Sequence, residues 1–517
     1  MRDQSLRAPF VAGLLLTILA GVRAAHAQGD AGAPPPAAAP TVTVSPDGGA
    51  PPPPAESGGG LFEQSQATAA PAADTAAVAS TPPFTINGYA RGDVFIGKIQ
   101  DVDGTQMKAN YGELALQLRT AKVAYGDGFA DLRVRYGLMG DQQGTFVDMR
   151  EAYVNTYLGP VDLRLGKQIV VWGRADALNP TNNITPVDFR LRSPLEDDIR
   201  LGNVGARGFL RMGVARLEGV WMPTYLPTEL PPVALPPLVS FTAPTFPSAN
   251  LHNGLIAGRA HLELAAFDMS VSYLRGFAPL PGLSLSTVTF DTTNPGIGVS
   301  RTAYKQQVIG FDFSTALGDF ATLRGEAAYR RPVGYQTAPD DPALSNPNPV
   351  QIARPDLQYV VGADHNFGSF NVIAQYLGRY VFNWQKEPGT TRDPGELDGL
   401  LRQPGRQMDF MDLVVDEVNA ELRQINQILF NQTAKVQHVA TLRLEWLGLH
   451  ETLSISSLAM VNFTTHEWLI TPRIGWKMTD TMTAYVGAQV FAGPDDTLFG
   501  LVDQTLSAGY VELRASF

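Results

Sequence analysis

No cysteine occurs in the 517 residues, which removes thiol catalysis, iron–sulfur clusters, Cys-ligated zinc and disulfide staples. Histidine is nearly as scarce, with seven in all, dispersed from His26 to His466, and they leave little material for a metal cluster. Charged residues make up only 17% of the chain and their balance is acidic, with a formal net charge of −11. A nucleic-acid partner would require a basic face to neutralise phosphates, so that class is excluded. Long hydrophobic runs are missing too. Phe10 to Val22, the longest, is far short of the ~20 residues of a spanning helix. The motifs G-x-S-x-G, H-E-x-x-H and G-x-x-x-x-G-K-S/T are absent, so no catalytic residue, metal ligand or cofactor is assigned and no enzyme is expected.

The short apolar run has another meaning. Arg2 and Arg7 precede it and Ala25-His26-Ala27 follows it. A positive start, an apolar core and a small-x-small end describe a secretory signal peptide over residues 1–27. Residues 28–83 hold twelve prolines with alanine and glycine runs and almost no large apolar side chains. Such a segment buries too little surface to offset its ordering entropy, and is expected to be a disordered periplasmic tail.

From Phe84 the texture changes to period-two alternation. Leu114, Leu116 and Leu118 share one face, and Glu113, Gln117 and Arg119 the other. Leu132, Val134 and Tyr136 likewise oppose Asp131, Arg133 and Arg135. One apolar and one polar face over about ten residues is a strand signal. About eighteen strands are read. They begin near Phe84, Asn110, Asp127, Phe146, Val161, Asn203, Val214, Leu255, Phe267, Arg301, Asp319, Asp356, Ser369, Lys435, Glu451, Glu467, Thr481 and Thr505. Links after even-numbered strands are tight, as at Leu158-Gly159-Pro160 and Phe367-Gly368-Ser369. Links after odd-numbered strands are mostly long, as at 173–202, 223–254 and 383–434. Short turns at one end and long loops at the other, with both chain termini on the short-turn side, are the pattern of outer-membrane barrels. The fold expected over 84–517 is therefore an all-β, transmembrane antiparallel β-barrel; sixteen strands result if Asn203 to Met222 is one bent strand.

The ending agrees. Val511, Leu513, Ala515 and the terminal Phe517 alternate with Tyr510, Glu512 and Arg514. A last strand ending in an aromatic residue resembles the signal read by the Gram-negative barrel assembly machinery, which makes that machinery and outer-membrane lipid the expected partners. Aromatics near strand ends, namely Tyr89, Tyr157, Trp172, Trp384, Trp468, Trp476 and Tyr485, suit interfacial girdles. The expected location is the outer membrane of a Gram-negative bacterium.

Two stretches carry a family resemblance: LGKQIVVWGRADALNPTNNITPVDF at Leu165 to Phe189, and FAGPDDTLFG at Phe491 to Gly500 before the closing strand. From Phe84 to Phe517 the chain resembles the uncharacterised porin-like outer-membrane proteins related to alginate-export porins. The resemblance implies a substrate-conducting or structural barrel without naming a substrate.

Lumen chemistry is read from the polar faces. Arg91, Arg119, Arg133, Arg150, Arg164, Arg259, Arg324, Arg443 and Arg473, with Glu113, Glu326 and Glu445, are the pore-lining candidates. A basic ladder would pass anions, whereas cross-strand pairing of opposite charges would hold the wall together. Gln407 to Asn431 has apolar residues at three- and four-residue steps and is expected to be a helix in an external loop, either a cap or a constriction through Met411, Val415 and Leu422. The loop from Trp172 to Arg200 carries Asp176, Asp188, Glu196, Asp197 and Asp198 without EF-hand spacing, and solvated charge is expected there rather than calcium. The function expected is passive passage of small solutes, anions among them. The alternative is a non-conducting scaffold or adhesin barrel that binds a partner through its loops or tail. Whether copies associate as a homo-oligomer is left open.

Overall fold

A computed structural model describes residues 83–99, 102–140, 142–231, 239–289, 296–318, 320–335, 353–387, 389 and 407–517. The expected signal peptide and the tail up to residue 82 lie outside the described residues. The strands, in chain order, are β1 (Phe84–Ile99), β2 (Val102–Thr120), β3 (Gly126–Met139), β4 (Gln142–Leu158), β5 (Val161–Gln168), β6 (Asn203–Met212) and β7 (Ala215–Met222). They continue as β8 (Val239–Phe241), β9 (Leu255–Glu263), β10 (Phe267–Phe277), β11 (Gly282–Thr289), β12 (Gly296–Thr302), β13 (Tyr304–Leu317) and β14 (Ala321–Tyr335). The last seven are β15 (Asp356–Phe367), β16 (Phe370–Val381), β17 (Val436–Gly448), β18 (Leu453–Asn462), β19 (Glu467–Lys477), β20 (Met482–Ala492) and β21 (Ala508–Ser516). Two α-helices lie among the described residues, α1 (Gln407–Leu429) and α2 (Leu498–Leu506).

All strands but β8, β11 and β12 belong to one 18-stranded sheet. Each barrel strand pairs antiparallel with its chain neighbours, and β1 pairs with β21 from Tyr89↔Ser516 to Ile96↔Gly509, so the sheet closes on itself. Closure satisfies every edge, the condition for a sheet to sit in hydrocarbon. Gly88 and Phe517 complete the seam with two backbone hydrogen bonds of 2.9 Å. A Cβ at Gly88 would lie 2.2 Å from the Ala115 carbonyl oxygen and 2.9 Å from the Phe517 ring, so only glycine lets the terminal aromatic lie over the seam.

The burial pattern is inside-out. Arg91, Glu113, Asp131, Arg133 and Glu512 are buried, whereas Val147, Val154, Leu165, Ile256 and Val511 stand exposed on the outer wall. Apolar side chains facing out and charged ones facing in, strand after strand, belong to a wall bathed in lipid around a polar lumen. An even-stranded closed barrel of this kind is an outer-membrane barrel. No described helix is long and apolar enough to cross a membrane, so strands alone make the crossing.

Three local expectations are corrected. The tenth barrel strand begins at Tyr304; Arg301 lies in β12, which pairs with β11 and, in parallel, with β8 in a separate sheet built from external loops. The last strand begins at Ala508 because 498–506 is α2, opened by Thr497, whose side chain accepts from the Gly500 N–H. Nine helical residues inside a region of strand-like alternation give too short a periodic signal to read. Of the aromatics expected at the interfaces, Trp468 and Trp476 face outward, but Trp172 is buried and Tyr89 turns inward to donate to Glu113 at 2.7 Å.

Candidate functional site in the barrel lumen

The link between β5 and β6, residues 169–202, is the element that organises the lumen. Its two arms are clasped by Thr185, whose hydroxyl accepts from Val170 N at 3.0 Å and donates to Val170 O at 2.6 Å. Gly173 then turns the chain inward at φ +105°, and a Cβ there would lie 1.9 Å from Asn179 Oδ1. The loop touches opposite walls, as its ion pairs record.

One arm reaches the wall formed by β7, β9, β13, β14, β16 and β17. Trp172 Nε1 donates to Glu218 at 3.0 Å. Glu218 also pairs with Arg207 at 2.7 Å and His261 at 3.5 Å. Arg174 pairs with Asp312 at 2.7 Å, and Arg259 holds the same carboxylate at 2.9 Å. The Glu326 carboxylate accepts from the backbone N–H groups of Arg174 and Ala175 and from the Thr181 hydroxyl, at 3.1 Å for the last. Asp176 pairs with Arg443 at 2.6 Å, and its N–H donates to Gln375. Around this arm lies an apolar cluster that includes Val170, Trp172, Ile184, Val220 and Leu255.

The other arm reaches β1 to β4 and β21. Asp198 lies 2.8 Å from Arg91 and 2.6 Å from Arg133, and Ser193 Oγ donates to it at 2.6 Å. Burial alone would raise the Asp198 carboxyl, but Arg91 and Arg133 hold it well below the usual carboxylate range. Arg91 also contacts Asp93 at 3.2 Å and Glu113 at 3.1 Å; Glu113 in turn binds Arg135. Arg150 donates to the Asp197 carbonyl. Arg192 sends its donors to the carbonyls of Thr505 and Leu506 at the end of α2, and burial pushes its guanidinium down to about 10. Lys108 caps the same helix end through Ser507 O at 2.6 Å. Cations at a helix C-terminus satisfy its orphan carbonyls and complement its dipole.

The candidate side chains fall into two chemically different groups. Arg91, Arg133, Arg150, Arg259, Arg324 and Arg443 are paired with carboxylates or loop carbonyls; Arg324, for instance, meets Asp364 at 3.2 Å. Glu113 and Glu326 are bound in the same fashion, and Glu445 lies 3.9 Å from Arg443. Arg119, Arg164 and Arg473 make no ion pair with a described carboxylate and stack on Phe129, Tyr153 and Tyr485 instead.

The acidic loop is not solvated, contrary to the sequence-based expectation. Asp176 and Asp198 are buried because the loop folds inward onto wall arginines that lie far away in sequence. Among the described residues no group of acids and histidines could hold a metal ion. Arg174 and Asp312 anchor the first of the two arms and are not among the candidates. The only sequence signal of Arg174 is the Arg–Ala–Asp triplet after Gly173, and that of Asp312 is one acid on the polar face of a strand.

The helix α1 packs away from these anchors. Val418 and Leu422 are buried against Leu285, Ile297 and Val299 of the loop sheet, with Leu413 and Val415 alongside. Asn426 both donates to and accepts from the Leu283 backbone, at 2.7 and 2.8 Å. The side chain of Met411 lies outside the described residues. Beyond the helix, Arg379 donates to Phe430 O at 2.8 Å and Arg330 clamps Asp356, so the end of α1 is tied to the rim at β14 to β16.

A BenF-like porin from Pseudomonas fluorescens Pf-5 is 10% identical, with 84% of this chain and 98% of that one covered, at a TM-score of 0.48. Acinetobacter baumannii OccAB3 is 8% identical over 84% and 99% of the two chains, TM-score 0.47. Pseudomonas aeruginosa OpdK with vanillate is also 8% identical, over 84% and 98%, TM-score 0.47. No curated protein matches the chain. One family model, described as Protein of unknown function (DUF1302), matches residues 120–390. That span is more than half of the chain and contains the whole lumen loop, and the protein belongs to the DUF1302 family.

Proposed function

We propose that the protein is a porin-like outer-membrane channel for passive passage of small solutes, anions among them, with residues 169–202 as its constriction. The observation that carries this reading is the loop itself. It is polar, it is fixed to opposite walls by buried ion pairs, and it leaves the closed wall around it intact. A loop held at both arms narrows a lumen to a defined aperture, as charged constrictions do in selective pores. The lumen-face arginines that make no ion pair with a described carboxylate, Arg119, Arg164 and Arg473, support an anionic solute. In this reading the strand ending at Phe517 is the segment engaged by the assembly machinery, and α1 with the loop sheet forms a cap beside the mouth.

The competing reading, a non-conducting scaffold that binds a partner through its loops, draws on that cap. The two separate in one experiment. In planar bilayers under a KCl gradient, a porin gives open steps with a reversal potential on the anion side. A scaffold inserts without steps.

A further inference from the structure

Four lumen-facing side chains on four successive strands form one continuous stack. Arg119 on β2 lies over the Phe129 ring at 5.4 Å. Phe129 on β3 meets Tyr153 on β4 with ring centroids 5.3 Å apart. Arg164 on β5 lies over Tyr153 at 3.9 Å. Strand register enforces the order: Arg119 pairs with Phe129, Phe129 with Tyr153, and Asn155 with Arg164. All four stand in the part of the wall next to the short turns, beyond the loop anchors.

This arrangement differs from the charge pairs at the loop level. Two acids lie near Arg164 and neither forms an ion pair with it: Asp127 is taken up by Asn155 Nδ2 at 2.7 Å and by the Tyr157 hydroxyl, and Glu151 accepts from the Ile169 N–H at 2.9 Å. Arg164 spends its Nε on Asn155 Oδ1 at 2.9 Å, a neutral partner. Each guanidinium lies over a ring, at 5.4 Å for Arg119 and 3.9 Å for Arg164, within the range of a cation–π contact. The result is an apolar aromatic floor with a cation at each end. Three strand spacings separate those ends, about 14 Å between Cα atoms.

Resting on the channel reading above, we infer that this stack is a transit site for aromatic carboxylates. The carboxylate meets one guanidinium in the bidentate fashion that its fork of donors favours, and the ring lies on Phe129 and Tyr153. A small inorganic anion uses only the cation, and an aliphatic acid lacks the flat face. The floor is what selects.

The test uses the full chain reconstituted in planar bilayers, with KCl current titrated by sodium benzoate, sodium cyclohexanecarboxylate or sodium acetate. Benzoate should interrupt the current at concentrations where acetate does not, and cyclohexanecarboxylate should be several-fold weaker than benzoate. Arg164→Gln should weaken the benzoate block roughly tenfold, the loss of one charge-assisted contact. Phe129→Leu should erase the preference for benzoate over cyclohexanecarboxylate while leaving the response to acetate unchanged. Arg119→Gln supplies the same charge test from the other end if Arg164→Gln fails to show the heat-dependent gel shift of a folded barrel. Equal block by all three acids, or a benzoate block untouched by either arginine variant, would overturn the assignment while leaving the channel intact. Insertion without open steps would overturn both.

Discussion

Asp198 is the residue from which one arm of the lumen loop hangs, and its environment sets the consequences of losing it. Two arginines and a serine converge on one buried carboxylate. Removing it takes the loop's carboxylate from two buried arginines, which keep Asp93, Glu113 and Asp131 as partners, and costs about 1.5–3 kcal/mol, the range for a lost charge-assisted hydrogen bond. Asp198→Ala should therefore free that arm and raise single-channel conductance while the barrel still runs as a folded band. Its pH behaviour follows from sign. The folded carboxyl lies below its unfolded value of about 3.9, so its stabilisation is fully present above that pH and is lost only as pH falls through the folded value. The absence of native cysteine makes a single Leu195→Cys label a clean reporter: its accessibility should be the same at pH 7 and pH 5, and should rise in the Asp198→Ala background. Gly173→Ala attacks the same loop through backbone geometry, because φ +105° and the crowding by Asn179 exclude a side chain. It should loosen the loop as Asp198→Ala does, by the same conductance measurement. None of these roles was legible from composition. The acids of 172–200 are visible, but the loop's inward fold depends on arginines up to 267 residues away, and no local period encodes that.

At the scale of elements, the strands were the legible part, since a lipid-facing wall imposes the same alternation on each of them and tight turns break them at regular places. Where other forces act, the reading shifted. Alternation places Arg301 in the wall, whereas it belongs to a sheet of loops, because alternation does not distinguish a barrel strand from a loop strand of similar polarity. Helix α1 was legible from its stripe, and the structure supplies its partner: Val418 and Leu422 cover β11 and β12. Leu422→Ala should cost about 2–5 kcal/mol of local docking energy. Limited proteolysis should then cut the 382–435 loop faster, with the barrel band unchanged, since the cap and the wall share few apolar contacts.

For the whole molecule, closure is the governing fact. The seam between β1 and β21 converts a sheet with two edges into one with none, and Gly88 beneath Phe517 finishes it. Gly88→Val should impair folding far more than a valine at Gly92, where a Cβ meets nothing within 4 Å; the fraction of heat-shifting band after refolding reports the difference. The eighteen strands, their up-and-down order and the polar interior were legible from alternation and link lengths. The division of the lumen arginines into loop anchors and ring-stacked cations was not, since both kinds occupy the same face of the same strands.

If residues 169–202 form the aperture of an open channel, removing the loop must widen it. Single-channel recording of the wild type beside a variant in which 174–198 is replaced by a short glycine–serine link tests it most directly. The wild type should give stable steps, and the variant larger and less anion-selective ones. Equal steps in the two would remove the loop from the aperture, and silence in both would make the barrel a scaffold.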